Sequence, residues 1–353
     1  MVLKQISLRN FRSYTKSTFS FDPRLTIIVG PNASGKSNLV EAIGILSLGK
    51  SFRTGKEKHM ITFSKEVSHV KGEILENGEE EQLEVTISIS PQDILQKRYL
   101  INGVSKRRSA LSGKLPTVFF TPVDLAIVSG QPGDKRRYFD EVLEQTDPAY
   151  ASALQVYSKA LRQRNALLEL VQKYGRRDAE RFAYWDELLI ANGNIITNKR
   201  EAFIAYINEQ KKKLFQFTLF YDKSLMSTER LLQYKEAEVG AGMTLVGPQR
   251  DDIIIQSEHP VSKELEDVKY FCSRGQQRLV TLELKNLQIC YLQKELEVLP
   301  ILVLDDIFSE LDNEHIEQVM HLTNHFQTII TTTHKEFVSP HVDKAKAVIE
   351  LGD

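Results

Sequence analysis

The segment Gly30-Pro-Asn-Ala-Ser-Gly35-Lys36-Ser37 has the spacing GxxxxGK[ST], which is typical of a phosphate-binding loop. Glycines at this spacing let backbone N–H groups curl around phosphate oxygens, and the N-terminus of a following helix adds its dipole. Lys36 would reach the β- and γ-phosphates of a nucleotide, and the Ser37 hydroxyl would bind Mg²⁺. The alternative is an ordinary glycine turn capped by Ser34. We predict a nucleotide site formed by Gly30, Pro31, Asn32, Ala33, Ser34, Gly35, Lys36 and Ser37.

A pair of acidic residues follows an apolar run near the end of the chain. In PILVLDDIFSELD, residues 300–312, Asp305 and Asp306 come at the carboxyl end of a predicted strand, where parallel sheets bind their ligands. Asp305 would hold Mg²⁺, and Asp306 would orient or deprotonate an attacking water. Taken alone, the pair could equally cap a helix. Together with the phosphate-binding loop it indicates nucleotide hydrolysis.

A third element, Ser273-Arg274-Gly275-Gln276, precedes a predicted helix. Ser273 and Gln276 have the S-x-x-Q spacing of a capping box. The same hydroxyl, the glycine amide and the positive helix end could instead form a second anion site, which would close on the γ-phosphate bound by another subunit. The spacing alone leaves both interpretations open.

The net charge of −1 hides an uneven distribution. Residues 97–215 contain 21 Lys+Arg and 13 Asp+Glu, whereas the rest of the chain contains 25 and 34. A basic segment attracts polyanions because phosphate neutralisation releases condensed counterions, although a solvated helix surface would have the same composition. The candidate nucleic-acid contacts are Lys106, Arg107, Arg108, Lys135, Arg136 and Arg137.

The composition itself is that of an ordinary globular protein, with 353 residues of which 41% are hydrophobic and 26% charged. Cys272 and Cys290 lie outside any CxxC or Cys/His spacing, so neither a disulfide framework nor a zinc site has support. The N-terminus lacks the apolar stretch of a signal peptide, and no internal run reaches the length of a membrane span. We expect a cytoplasmic protein with no membrane partner.

The elements that position these residues follow from apolar periodicity. Residues 25–29 predict a strand and residues 39–48 a helix, which flank the phosphate-binding loop. Alternation over 67–103 predicts antiparallel strands, with a hairpin turn at Asn102-Gly103. Asp134 is expected to cap a helix, and two longer helices should cover about 148–173 and 178–213. Further strands are predicted at 243–246, 253–255, 301–304, 327–331 and 347–351, with a helix over 275–296.

This order predicts one α/β nucleotide-binding domain interrupted by a helical insertion. The boundaries expected from sequence are residues 1–115 with 226–353 for the α/β domain, and residues 116–225 for the helical lobe. The α/β domain should contain a mixed-sheet core beside an antiparallel β-subdomain.

The set of motifs resembles an ABC-type ATPase head. The resemblance rests on the P-loop, the S-x-G-Q-Q element, the acidic pair and Thr333-His334 after the next strand. More narrowly, the chain resembles the RecF family of bacterial recombination and repair proteins, which is related to SMC heads. The segments that carry this narrower likeness are LRNFRSY at 8–14, GKSFR at 49–53, PVDL at 122–125, GDKRRYFDE at 133–141, GPQRDDI at 247–253 and LDDIFSELD at 304–312.

The resemblance implies an ATP-dependent, Mg²⁺-requiring homodimer. ATP would lie between the P-loop of one head and Ser273 and Gly275 of the other, with Ser309 to Asp312 crossing between subunits. Lys36, Asp306 and His334 would serve catalysis, His334 as the γ-phosphate sensor. Slow hydrolysis would reset a switch that binds duplex DNA near single-stranded gaps, in the nucleoid, and that works with RecR and RecO to assist RecA loading.

Three departures from related heads qualify these expectations. Asp306 stands where SMC and transporter heads usually carry Glu, and its shorter reach favours slow turnover. Gln249 replaces a histidine that is common in the RecF family, and no glutamine-loop equivalent is evident near residues 122–125. Two other classes of protein are compatible with a P-loop. One is an ABC transporter's cytoplasmic ATPase subunit, for which the basic insertion is unexpected. The other is a small-molecule kinase, which would leave the S-x-G-Q-Q element unused.

Overall fold

Short apolar runs and alternating runs of this sequence form different sheets. The structure, a computed structural model, describes residues 1–53, 57–76, 78–175, 178–306, 325–333 and 347–352. Its strands are β1 Val2–Phe11, β2 Tyr14–Ser20, β3 Leu25–Val29, β4 Val67–Glu76, β5 Glu79–Ile89, β6 Leu95–Ile101, β7 Val104–Lys106, β8 Thr117–Phe120, β9 Thr218–Asp222, β10 Asp252–Glu258, β11 Leu265–Asp267, β12 Ile301–Asp305, β13 Thr328–Thr332 and β14 Ala347–Glu350. Its α-helices are α1 Lys36–Leu48, α2 Arg108–Leu111, α3 Ala126–Ser129, α4 Pro132–Thr146, α5 Pro148–Tyr174, α6 Ala179–Glu209, α7 Thr228–Gln233, α8 Lys235–Ala241, α9 Val268–Phe271 and α10 Arg274–Leu296.

The continuous apolar runs form a five-stranded parallel sheet in the order β14-β3-β13-β12-β8. Every residue of β3, β8, β12 and β13 is buried. Strands covered on both faces need apolar or small side chains, here aliphatic, phenylalanine and threonine residues, which explains the absence of apolar–charged alternation in their sequences. The carboxyl ends of β3 and β12 meet at one edge of this sheet, so the P-loop and the acidic pair start from the same edge.

The alternating runs form a six-stranded antiparallel sheet in the order β2-β1-β4-β5-β6-β7. Leu83, Val85 and Ile87 are fully buried, and the residues between them are partly exposed. The predicted turn at Asn102-Gly103 is confirmed, with φ of 51° and 76° at the two residues. Positive φ at both central positions is the geometry that a two-residue hairpin prefers.

Helix α1 contacts strands of both sheets. Leu39, Ile43 and Leu46 are fully buried, and the core cluster joins them to side chains of the six-stranded and the five-stranded sheets. A helix that is apolar nearly all round belongs inside a core. The residues that follow the P-loop are therefore held rigidly from two sides.

The chain divides into two compact units, residues 1–124 with 288–353 and residues 125–287. These boundaries differ from the domains expected from sequence, because residues 116–124 join the first unit and 226–287 the second. The reason is strand pairing: β8 joins the parallel sheet, whereas β10 pairs with β9 and β11 in a three-stranded antiparallel sheet. The assignment of 1–115 and 226–353 to one functional domain stays a prediction.

The long helices of the second unit match the predicted ones with local differences. Helix α6 ends at Glu209, so Lys211 to Lys213 lie beyond it, and residues 243–246 form no strand. Helix α4 begins at Pro132, three residues earlier than a cap at Asp134 would allow. Asp134 instead lies in the first turn and its carboxylate accepts from the Gln131 N–H at 3.0 Å.

Buried ion pairs connect the elements of the second unit. Arg200, 2% exposed, donates to Asp140 at 2.8 Å and to Asp251 at 3.0 Å. The Asp251 carboxylate also accepts from the backbone N–H of Ser224 and from the Tyr221 hydroxyl. A buried charge that loses its partners costs several kcal/mol, so this network fixes the positions of α4, α6 and β10 relative to one another.

Gln249, whose role the sequence left open, belongs to the same region. Its amide oxygen accepts from the Tyr157 hydroxyl, and its amide nitrogen donates to the Val246 carbonyl at 2.7 Å. A Cβ atom at Gly247, where φ is 111°, would lie 2.4 Å from that tyrosine oxygen. In the described structure the side chain of Gln249 therefore ties α5 to the loop before β10.

Candidate nucleotide-binding site

The P-loop connects β3 to α1 by a tight turn of the backbone. Gly35 has φ of 104° and stands directly before the first residue of α1. A Cβ atom there would lie 2.7 Å from the Tyr14 hydroxyl, which donates to the Gly35 carbonyl at 3.1 Å. Both the left-handed backbone and the close contact require glycine. The turn leaves the first amides of α1 available to an anion.

Lys36 lies inside the turn. Its side chain is buried, and its ammonium group donates to the carbonyls of Gly30 at 2.7 Å and Pro31 at 2.8 Å. Burial lowers the pKa of Lys36, whereas the charges of Asp306 and Asp305 raise it. A cation held against its own loop, beside two carboxylates, is placed to meet a phosphate group at the mouth of the turn.

Ser37 and Asp305 meet although they are far apart in sequence. The Ser37 hydroxyl donates to Asp305 Oδ1 at 3.3 Å, and the Thr331 hydroxyl donates to the same oxygen at 2.6 Å. Hydroxyl and carboxylate oxygens are the ligands that Mg²⁺ prefers. Ser34 adds a buried hydroxyl that has no hydrogen-bond partner among the described residues. This donor set fits a nucleotide with its magnesium ion.

Asp306 occupies a constrained position at the end of β12. Its φ is 51°, and its backbone N–H donates to the Thr331 carbonyl at 3.1 Å. A left-handed aspartate at a strand end is uncommon and is often found where a side chain must be redirected. Thr331 thus holds both acidic residues, a role that sequence analysis missed. The available signal was the presence of three threonines, Thr328, Thr331 and Thr332, in a fully buried strand.

A second feature that sequence analysis missed is a buried carboxylate on α1. Glu41 is fully buried and accepts from Arg12 at 2.7 and 2.9 Å and from the Ser51 hydroxyl at 2.6 Å. Arg53 approaches Glu41 at 3.4 Å and donates to Asn38 Oδ1 at 3.0 Å. Two segments that flank the P-loop helix are therefore attached to it through one charge. The signal was a single acidic residue in an apolar helical run.

The Ser273 element forms the capping box that its spacing predicts. The Ser273 N–H donates to Gln276 Oε1 at 2.9 Å, and the Gln276 N–H donates to the Ser273 hydroxyl at 3.3 Å. Ser273, Arg274 and Gly275 are exposed. Gln277, the last residue of the S-x-G-Q-Q element, donates to three backbone carbonyls of the preceding residues and fixes that segment. Contact of this element with a second subunit stays a prediction.

The basic candidates differ in accessibility. Lys106 and Arg107 are exposed, whereas Arg108 is partly buried and donates to the Leu48 carbonyl. Lys135 is only 4% exposed and pairs with Asp252 at 3.3 Å. The structure does not place its ammonium group where DNA could reach it.

Its two neighbours are also engaged. Arg136 donates to the Asp251 carbonyl, and Arg137 pairs with Asp134 at 3.2 Å with its side chain 44% exposed. Burial lowers the pKa of Arg136. His334 and the segment from Ser309 to Asp312 lie outside the described residues. The DNA-contact and catalytic roles of all these residues stay predictions.

Comparison with known proteins gives this geometry its context. Residues 2–351 match the family described as the RecF/RecN/SMC N terminal domain. A DNA replication and repair protein RecF from Moorella thermoacetica is 37% identical over 94% of this chain and 90% of its own length. The chain belongs to the RecF family. This assignment confirms the sequence-based expectation and removes the transporter subunit and the small-molecule kinase from consideration.

Solved RecF structures confirm the ABC-type ATPase head fold. The recombination mediator protein RecF-ATPrS in the RecFOR pathway superposes with a TM-score of 0.83 at 28% identity, covering 95% of this chain and 93% of that one. The RecF-ATP structure from the same pathway gives a TM-score of 0.82 at 28% identity, covering 94% and 92%. Among the described helices, none combines the length and the apolar character that crossing a membrane requires.

Proposed function

We propose that this RecF-family chain is an ATP-dependent DNA-binding protein of recombinational repair and replication restart. The observation that carries the proposal is the convergence of Lys36, Ser37 and Asp305 at the end of β3 and β12. The RecF-ATP relative supports ATP as the nucleotide. The relatives' description as DNA replication and repair proteins supports DNA as the macromolecular partner.

The residues of one head would bind the nucleotide as follows. The amides of the P-loop and of the first turn of α1 would enclose the phosphates, and Lys36 would shift from the loop carbonyls to the β- and γ-phosphates. Ser37 and Asp305 would hold Mg²⁺, which would neutralise charge on the phosphates. Asp306 would orient the attacking water, and Thr331 would keep the Asp305 carboxylate and the Asp306 backbone in place. The short reach of Asp306 agrees with slow hydrolysis and a switch function.

A second copy of the chain would complete the site. The exposed Ser273 hydroxyl and Gly275 amide, at the N-terminus of a helix of 23 residues, would bind the γ-phosphate held by the first head. ATP would thus favour a head-to-head dimer on duplex DNA near single-stranded gaps, with His334 as a γ-phosphate sensor. We include cooperation with RecO and RecR in RecA loading in this proposal, and its support is the family resemblance alone.

Sedimentation with and without ATP tests the proposal. Lys36→Ala should abolish ATP binding, because it removes the cation inside the P-loop. Ser273→Ala should keep ATP binding and lose the ATP-dependent dimer. Ser227→Ala is a matched control, since Ser227 also caps a helix of the second unit, through the Arg230 N–H at 3.2 Å. Dimers that persist in the Ser273 variant, or disappear equally in the Ser227 variant, would contradict the shared site.

A further inference from the structure

The face of the six-stranded sheet that points away from the buried core carries an ordered set of cations. On β1 the side chains of Ile6 and Leu8 are buried, whereas Arg9 is exposed. Antiparallel register sets Arg9 opposite Lys16 of β2 on one side and opposite His69 of β4 on the other. Residues paired across strands lie on the same face of a sheet. These three side chains therefore stand side by side.

The alignment continues across the next two strands. His69 is opposite Thr86 of β5, and Thr86 is opposite Arg98 of β6. Lys16, Arg9, His69, Thr86 and Arg98 thus form one straight line across five strands, which we call the basic row. Strand spacing of about 4.8 Å gives the row a length of about 19 Å. This length corresponds to between five and six steps of about 3.4 Å along a DNA strand.

The cations of the row are free to bind an external anion. Arg9, Lys16 and Arg98 are exposed, and within the described ranges none of them pairs with a carboxylate. Glu84 is the acidic side chain that contacts the row, through His69 Nδ1 at 3.2 Å and the Thr86 hydroxyl at 3.3 Å. Three cations on one register line that have no carboxylate partner among the described residues indicate a binding surface for an anion.

The row ends in a polar basin of about 430 Å³ formed by β5, β6 and β7. The basin shares Thr86 and Arg98 with the row. Its other lining residues are four with hydroxyl or amide side chains and two lysines: Ser88, Gln96, Tyr99, Ser105, Lys97 and Lys106. Among the described residues that line it, none is a carboxylate. Arg107 is exposed, follows β7 directly and comes next to Arg98 when the β6–β7 register is continued by one residue. Of the cations predicted from sequence, Arg107 therefore extends the basic row, whereas Lys106 lines the basin.

We propose that the basic row and its basin bind the phosphodiester backbone of duplex DNA. This inference rests on the proposed function, for which it supplies a contact surface. Arginine, lysine and hydroxyl groups are the usual phosphate ligands, and such contacts fix position without reading sequence. The row presents no aromatic ring for base stacking, because Tyr99 of the basin points its hydroxyl to the Gly49 carbonyl. A line of cations without stacking groups favours a duplex over a single strand.

The test compares two triple variants of the full chain with equal change in net charge. Arg9→Gln/Lys16→Gln/Arg98→Gln neutralises the row. Lys4→Gln/Lys58→Gln/Lys114→Gln is the control, because these lysines of the same unit are each paired with a carboxylate, of Glu80, Asp93 and Glu81 respectively. Fluorescence anisotropy with a duplex of about 30 base pairs, and with a single strand of equal length, gives affinity over a range of salt concentrations.

The row variant should bind duplex at least about tenfold more weakly, and its slope of log affinity against log salt should be smaller by about 2 to 3. The control variant should behave as the wild type. ATP binding should be equal in all three proteins, which shows that the nucleotide site is intact.

Unchanged duplex binding in the row variant would overturn the proposal while leaving the proposed function standing. Equal weakening in both variants would overturn it as well, since the effect would then be one of total charge. A loss confined to the single strand would refute the choice of duplex. If the wild type binds neither probe, the proposed DNA function fails together with the surface.

Discussion

Ser37 and Asp305 are separated by 268 positions in sequence, and their side-chain oxygens lie 3.3 Å apart. The contact exists because β3 and β12 belong to one parallel sheet and end at the same edge. It joins the first helical turn after the P-loop to the acidic pair. In the proposed function these two residues share one Mg²⁺.

The Ser37–Asp305 pair should act as a unit in metal-dependent nucleotide binding. Ser37→Ala and Asp305→Asn should each weaken binding of Mg²⁺-ATP by about tenfold or more and change binding of metal-free ATP little. The double variant should lose less than the product of the single losses, because both residues serve the same ion. Titration calorimetry with Mg²⁺ or with EDTA measures both. Independent, multiplicative losses would argue against a shared ligand.

Thr331 should influence turnover without touching the nucleotide. Thr331→Val keeps the shape of a fully buried side chain but removes the donor that holds Asp305. We expect turnover to fall by about 10-fold to 100-fold, as for other residues that orient metal ligands, with a smaller change in KM. Thr328→Val on the same strand is the matched control, since the Thr328 hydroxyl donates only to the Phe326 carbonyl among the described residues. Equal effects of both variants would indicate a merely structural role.

Glu41 should contribute more to the stability of the fold than an exposed carboxylate of a surface ion pair does. Glu41→Ala removes a fully buried carboxylate and leaves Arg12, Arg53 and Ser51 without their common acceptor. We expect the free energy of unfolding to fall by about 3 to 5 kcal/mol. Urea denaturation measures the change, and Glu80→Ala, which removes an exposed partner of Lys4, should leave the midpoint unchanged. A Glu41 variant as stable as the Glu80 variant would contradict the central role of this carboxylate.

Tyr14 should make the free energy of unfolding depend on pH in the alkaline range. Burial raises the pKa of Tyr14 to about 12, above the value of 10.0 for an unperturbed tyrosine. The native state then keeps a proton that the unfolded chain releases, so stability is fully present below pH 10 and falls as the pH rises toward 12. Tyr14→Phe lacks this group, and its stability should fall less steeply over that range. Urea midpoints at several pH values compare the two, and parallel curves would refute the prediction.

The local elements of this protein could be predicted from sequence because they depend on short-range patterns. The apolar runs at 25–29 and 301–304 predicted strands, and the alternation over 67–103 predicted antiparallel strands. The capping box of Ser273 and Gln276 was visible as a spacing of three residues. The backbone geometry of residues a few positions apart is set mainly by their own side chains. A single sequence is therefore enough to predict these local elements.

Other features were decided by the tertiary structure. The support of Asp305 by Thr331, the burial of Lys135 against Asp252, and the line from Lys16 to Arg98 each join residues from separate elements. The sequence shows that residue 135 is a cation but does not show whether its side chain is exposed, because burial depends on which distant segment packs over Lys135. The sequence likewise shows which strands carry cations but does not show that these cations are aligned, because register is set by strand pairing across the whole sheet. Residue identity determines which chemical groups the protein contains. Tertiary packing determines which of these groups lie close enough to act together.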